Sequence, residues 1–137
     1  TRDRTWEPES NIQHLDEYQN SNIFLRKIGS RREMINELKH SRVLLYLGHK
    51  SDIFTLTAEE SIKLCVPVIT YGIGSLSERV SHGENGFIAK NQTEFVRYTL
   101  DLMNDDSLCK ELKKKMFKKR SEITWSSIAD IWIKKFL

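Results

Sequence analysis

Two prolines, Pro8 and Pro67, and two cysteines, Cys65 and Cys109, are all that this chain of 137 residues contains. No low-complexity linker and no internal repeat breaks the sequence, so a single domain with a helical C-terminal segment is expected. Both cysteines sit within apolar helical patterns, which excludes a disulfide framework or a cysteine-rich zinc module and reads them as structural. The four histidines, His14, His40, His49 and His82, show no paired spacing with other candidate ligands, so no metal site is expected. No apolar run approaches the roughly 18 residues of a membrane span, and no signal peptide opens the chain. Those absences point to the cytoplasm.

What is present is ordinary for a globular protein. Hydrophobic residues make up 39% and charged residues 30%, which excludes a disordered chain. A domain of this length buries roughly two thirds of its unfolded surface, enough for one core. The net charge of +3 is small but unevenly spread. Lys110, Lys113, Lys114, Lys115, Lys118, Lys119 and Arg120 crowd one segment against a single acid, Glu111. That segment reads either as a solvated helix face or as a contact with an anionic surface, foremost the inner, cytoplasmic face of a membrane. No recognised nucleic-acid motif and no series of stacking aromatics accompanies it, so nucleic acid is not expected as a partner.

Residues 1–21 hold no sustained period and read as an irregular lead-in with a short helix at 12–18; residues 22–137 read as the folded domain. "NIFLRKIGS" offers a short strand at 23–25. In "SRREMINELKHS", Ser30 and Glu33 form a capping-box pair and Met34, Ile35 and Leu38 one apolar stripe, predicting a helix over 31–40. "RVLLYLG" has the continuous apolar character of a parallel strand covered on both faces, at 43–47. A helix at 58–64, a strand at 66–70, a glycine turn, a short helix capped by Ser75 with Glu78 at the box position, a turn at 83–86 and a strand at 87–89 follow. Alternation of this kind predicts an α/β fold, a Rossmann-like open parallel sheet with right-handed crossovers. Beyond Lys90 the pattern is helical. Phe95, Val96, Leu100 and Met103 mark one helix, and Leu108, Leu112 and Met116 a second. Trp125, Ile128, Ala129, Trp132, Ile133 and Phe136 form the strongest amphipathic stripe in the chain, expected to pack in the core.

In open α/β sheets ligands bind beyond the carboxyl ends of the strands. Asp52 follows the 43–47 strand and Gly72 to Ser75 the 66–70 strand, so both segments belong on that rim. Helix N-termini there suit phosphate, and carboxylates on the same rim suit sugar hydroxyls. Together they would suit a nucleotide sugar. A plainer account stands beside this one. Thr57 and Glu60 also spell a T-x-x-E capping box, in which Glu60 only reaches back to the N–H of Thr57. Asp52 can equally shape its own turn, and Gly72 and Gly74 can serve any tight strand-to-helix turn.

The stretch "SDIFTLTAEESIKLCVPVITYGIGSLSERVSHGENGFIA" resembles the donor-binding half of GT-B glycosyltransferases of the large retaining group related to glycogen and sucrose synthases. Asp52, Phe54, Glu60, Pro67, Val68, Gly74, Glu78, Gly83, Gly86 and Phe87 stand where that group has its spaced motif positions. "TWSSIADIW" resembles the group's terminal helix, and "NIFLRKIGSRREMINELKHSRVLLYL" its third strand, following helix and fourth strand. The resemblance covers roughly residues 22–136 and implies a partial GT-B C-terminal domain of a hexosyltransferase-type enzyme of polysaccharide biosynthesis. It implies that Glu60 binds the donor ribose and that Asp52 lies against the transferred sugar. Ile53, Phe54, Thr55, Leu56 and Gly74 would approach the sugar and diphosphate, and Arg26 and Lys27 would lie by the nucleotide base. It further implies retention of anomeric configuration without a metal or other cofactor, the nucleoside diphosphate sugar being a substrate. The acceptor, a glycan or lipid-linked molecule, would be held by an N-terminal domain.

Four positions depart from the group's pattern. Asp52 stands for Glu, Thr55 and Cys65 each for Gly, and Ser75 for the second turn Gly. The group's first two strands in this domain and its basic diphosphate clamp are not found ahead of residue 22. An N-terminally truncated fragment, inactive by itself, is therefore the expectation. The alternative is a non-catalytic nucleotide- or carbohydrate-binding module with the same fold.

Overall fold

The computed structural model describes residues 29–122 and 124–136. The chain divides into two units after Ser30, and the second, Arg31–Leu137, carries every helix and strand described. The expected helix at 12–18, the strand at 23–25 and the candidate base-side residues Arg26 and Lys27 lie outside the described residues.

The second unit alternates as its sequence predicts: α1 (Arg31–His40), β1 (Leu44–Leu45), α2 (Leu56–Lys63), β2 (Val68–Thr70), α3 (Leu76–Arg79) and β3 (Gly86–Ile88). Three further helices follow, α4 (Gln92–Asn104), α5 (Asp106–Glu122) and α6 (Trp125–Phe136). The strands form one parallel sheet in the order β1-β2-β3, with Leu44 opposite Val68 and Ile69 opposite Phe87. Crossover helices and a parallel sheet make this a Rossmann-like α/β arrangement. None of the described helices is long and apolar enough to cross a membrane.

Successive residues of a strand point to opposite faces, and β2 uses this fully. Val68 joins Ala58, Leu76 and Val80 beneath α2 and α3. Ile69 joins Ala89, Phe95, Leu102, Cys109, Leu112 and Met116 beneath α4 and α5. Cover on both faces, expected of the strand at 43–47, therefore belongs to β2. In β1, Leu45 is half exposed, and Leu47 beyond it turns to solvent. The β1 ladder is short, but it runs past its ends: Leu44 N donates to Pro67 O and Tyr46 N to Ile69 O.

Helix α2 closes with two bonds, Val66 N to Ser61 O (2.9 Å) and Cys65 N to Ile62 O (3.0 Å). This closure places the residue after the cap in the left-handed region, where glycine is usual. Cys65 stands there at φ 59°, a conformation that costs an ordinary residue about 1–2 kcal/mol. Its side chain packs against the Ile69 cluster in partial compensation.

Two of the expectations about the C-terminal helices need correction. In α4 the buried residues are Phe95 and Leu102, whereas Val96, Leu100 and Met103 are about half exposed. The face is rotated because α4 lies over β2 and beside α5, so that Tyr98 and Thr99 are partly buried in place of the larger aliphatics, Tyr98 against the Ile69 cluster. In α5, Leu112 and Met116 are buried as expected, with Cys109 beside them. In α6, by contrast, Trp125 is 91% exposed and Trp132 64%, and no described α6 residue is buried. Helical periodicity reports that a face is apolar and carries no information about what covers it.

Arg42, just before β1, locks the α4–α5 junction. Its Nε donates to Leu102 O (2.6 Å), and its Nη2 lies 2.6 Å from Asp106 Oδ1. The bond from Arg42 holds the Asp106 carboxyl below the usual carboxylate range. Asp105 caps α5, its Oδ1 accepting from Ser107 N and Leu108 N.

Candidate functional site

The loop after β1, residues 46–55, and the loop after β2, residues 71–75, meet at the carboxyl ends of the strands. Ser75 N donates to Asp52 O (3.1 Å), and the hydroxyls of Thr55 and Ser75 lie 3.3 Å apart. Gly74 makes this approach possible. It has φ +64°, and a Cβ there would fall 2.8 Å from His49 O and 2.9 Å from Asp52 O. Of the residues the sequence places on one rim, Asp52 is thus brought against Gly74, and Thr55 against Ser75.

Asp52 shapes its own turn. Its Oδ2 accepts from His49 N (3.0 Å) and from the Tyr46 hydroxyl (3.4 Å), and its N–H donates to His49 O. Partial burial, and then the Asp52 charge, push the Tyr46 phenol above its ordinary pKa. Tyr46 was legible only as part of an apolar strand, and its position beside a rim carboxylate gave no sequence signal. Ile53, Phe54 and Leu56 all point outward, at 89%, 56% and 59% exposure, while Thr55 between them is buried. The Arg79 guanidinium lies 4.3 Å from the Phe54 ring centroid, a contact the sequence gave no reason to expect.

Glu60 is not a capping residue. Helix α2 begins at Leu56 with Thr55 as its N-cap, so Thr57 lies inside the helix and the T-x-x-E box does not form. The start is set earlier than the spacing predicts because Thr55 is anchored against Ser75. Instead the Glu60 carboxylate, only 14% exposed, takes two bonds at Oε1 from Arg31, from Nε (2.8 Å) and Nη2 (2.5 Å). The same correction applies to α3: Ser75 is its N-cap by position, but its side chain makes no capping bond and faces Thr55.

At the start of α2, Leu56 N donates to Phe54 O (3.1 Å) and Glu59 N to Thr55 O (3.1 Å), and the N–H groups between them have no partner within the helix. With Asp52 beside them and Glu60 one turn on, this edge offers donors for an anionic group and acceptors for hydroxyls. No group of three or more His, Cys, Asp or Glu that could hold a metal occurs among the described residues. A cavity of about 320 Å³ lies elsewhere, lined by Lys63, Arg79, Asn85, Met116 and Lys119 among others, at the other end of α2. Arg79 links it to the rim loop.

No curated protein and no solved structure matches the chain. The family model of the glycosyl transferases group 1 matches residues 7–119, most of the chain, including both rim loops and all three strands and stopping short of α6. With the motif positions standing on a parallel Rossmann-like sheet, the chain belongs to the group 1 glycosyl transferases.

Proposed function

We propose that this chain holds the nucleotide-sugar donor of a retaining glycosyl transfer to a glycan or lipid-linked acceptor. The observation that carries this reading is Glu60: a largely buried carboxylate near the rim, released from helix capping and fixed in place by an arginine. Glu60 accepts from the ribose hydroxyls. The first-turn N–H groups of α2 and the backbone of 53–56 meet the diphosphate, whose negative charge grows as the sugar departs, so donors fixed beforehand favour the transition state over the ground state. Asp52, held by His49 N–H and Tyr46, faces the transferred sugar. The acceptor and the rest of the cleft come from a domain outside this chain.

Asp52→Asn tests the assignment. An amide oxygen can still accept from His49 N–H, so the turn and the melting temperature are expected to hold, while sugar transfer by the enzyme falls on the order of a hundredfold with nucleotide affinity little changed. Unaltered transfer would remove Asp52 from the site. Nucleotide binding without sugar transfer, in a protein that also carries the acceptor domain, would favour the non-catalytic module.

A specific feature of α5 favours contact with the inner face of a membrane as well. Lys110, Lys114, Phe117 and Lys118 share the exposed helix face opposite Cys109, Leu112 and Met116. Such a face is attracted to anionic lipid over about one Debye length. Anionic vesicles are expected to retain the protein at low salt and release it as salt rises; equal retention by neutral vesicles counts against the contact.

A further inference from the structure

We propose that Arg31 is a positioning residue for donor binding: it fixes the Glu60 carboxylate and cancels its charge, so that an acid can serve the ribose hydroxyls close to a diphosphate. This rests on the reading of Glu60 as the ribose ligand.

Three observations carry it. Arg31 opens α1, 29 residues before Glu60, so the bond joins two helices and has no local function in either. Both guanidinium bonds go to one oxygen, Oε1. A carboxylate has about four lone-pair sites on two oxygens, so Oε2 is left to accept from hydroxyls. Finally, the neighbouring acid is served separately: Glu59 has Lys63 at 3.8 Å and Arg79 at 3.7 Å. Each acid of this pair in α2 therefore has its own cation, and Arg31 is the one assigned to Glu60.

The chemistry explains why such a partner is needed. An ionised carboxylate is the better acceptor for sugar hydroxyls, yet it repels a nearby diphosphate. Pairing with an arginine keeps the acceptor oxygens and removes most of the repulsion. The Arg31 side chain is 75% exposed and Glu60 only 14%, so the guanidinium also covers the carboxylate and restricts its rotamers.

Charge and structure can be separated by titration. UDP, GDP and ADP are titrated into the protein, and the tightest is compared with its own nucleoside, in wild type, Arg31→Ala, Arg31→Gln, Arg31→Lys and Glu60→Ala. Arg31→Ala and Arg31→Gln are expected to lower diphosphate affinity about tenfold and nucleoside affinity about twofold, while Arg31→Lys, which keeps the charge, stays within about threefold of wild type. The gap between wild type and Arg31→Ala should narrow as salt is raised. The guanidinium is itself mostly exposed and is what covers the carboxylate, so its removal lets water reach Glu60, and the melts of all Arg31 variants should nearly coincide. Equal losses for nucleoside and diphosphate would overturn the charge-cancelling role. Wild-type affinity in Arg31→Ala, alongside a loss in Glu60→Ala, would overturn the inference alone. Wild-type affinity in Glu60→Ala, or no binding of any of the three nucleotides by the wild type, would overturn the ribose reading beneath it.

Discussion

Gly86→Ala is expected to destabilise the sheet strongly. Gly86 opens β3 directly opposite Val68 of the central strand, and a Cβ there would sit 1.9 Å from Val68 O and under 3 Å from Val68 C and N. All three are backbone atoms of a fully buried residue, so no side chain can turn aside to make room. The strands must part, and the bond from Val68 N to Asn85 O would be strained with them. Overpacking usually costs about 1–3 kcal/mol, and a clash against rigid backbone belongs at or above about 3 kcal/mol. For a domain of this size that lowers the melting temperature by roughly 10 °C or more. Gly83→Ala is the control. Gly83 is at φ +78°, and a Cβ there would meet nothing within 4 Å, so its cost is only the left-handed backbone, about 1–2 kcal/mol. Equal melts for the two variants would show that the approach of β3 to Val68 is looser than the structure has it.

Glu60→Ala is expected to lower nucleoside diphosphate affinity tenfold to a hundredfold while leaving the fold intact. Hydrogen bonds to a charged acceptor are worth roughly 1.5–3 kcal/mol each, and one to two orders of magnitude in affinity correspond to losing about one of them net. Stability should change by no more than about 1 kcal/mol, because no helix cap is lost and the released Arg31 is already mostly hydrated. Glu60→Gln should fall between, its amide oxygen being a neutral and weaker acceptor. Nucleotide titrations paired with thermal melts of the three proteins check this. Equal affinity in all three would defeat the ribose assignment, and a lowered melt with unchanged affinity would return Glu60 to a structural role.

Much of the fold could be read along the chain because its signals are local. The run Val68–Thr70 was legible as a buried parallel strand, and α1 matches the predicted span of 31–40. The helix at 92–104 carries an N-x-x-E start, in which Asn91 Oδ1 accepts from Glu94 N and Glu94 Oε2 from Lys90 N. That start, too, is a pattern of chain neighbours. Spacing misled where a distant contact decided the outcome. Thr57-x-x-Glu60 has the letters of a capping box, but Thr55, steadied by Ser75 from the next loop, starts the helix sooner. The α6 stripe has the strongest period in the chain and buries none of its described residues.

The sequence by itself determined the order of helices and strands, a buried strand at 66–70, the family motif and the positions of Asp52, Glu60 and Gly74 along it. These follow from periodicity, from turn chemistry and from residue spacing, each a property of neighbours in the chain. Only the tertiary structure decided that Glu60 pairs with Arg31, that Tyr46 and His49 N–H hold Asp52, that Arg79 stacks on Phe54, and that Gly86 passes against Val68. Apart from the local turn at Asp52, these contacts join different elements. Their partners are chosen by how the crossovers stack on the sheet, and no local pattern encodes that choice.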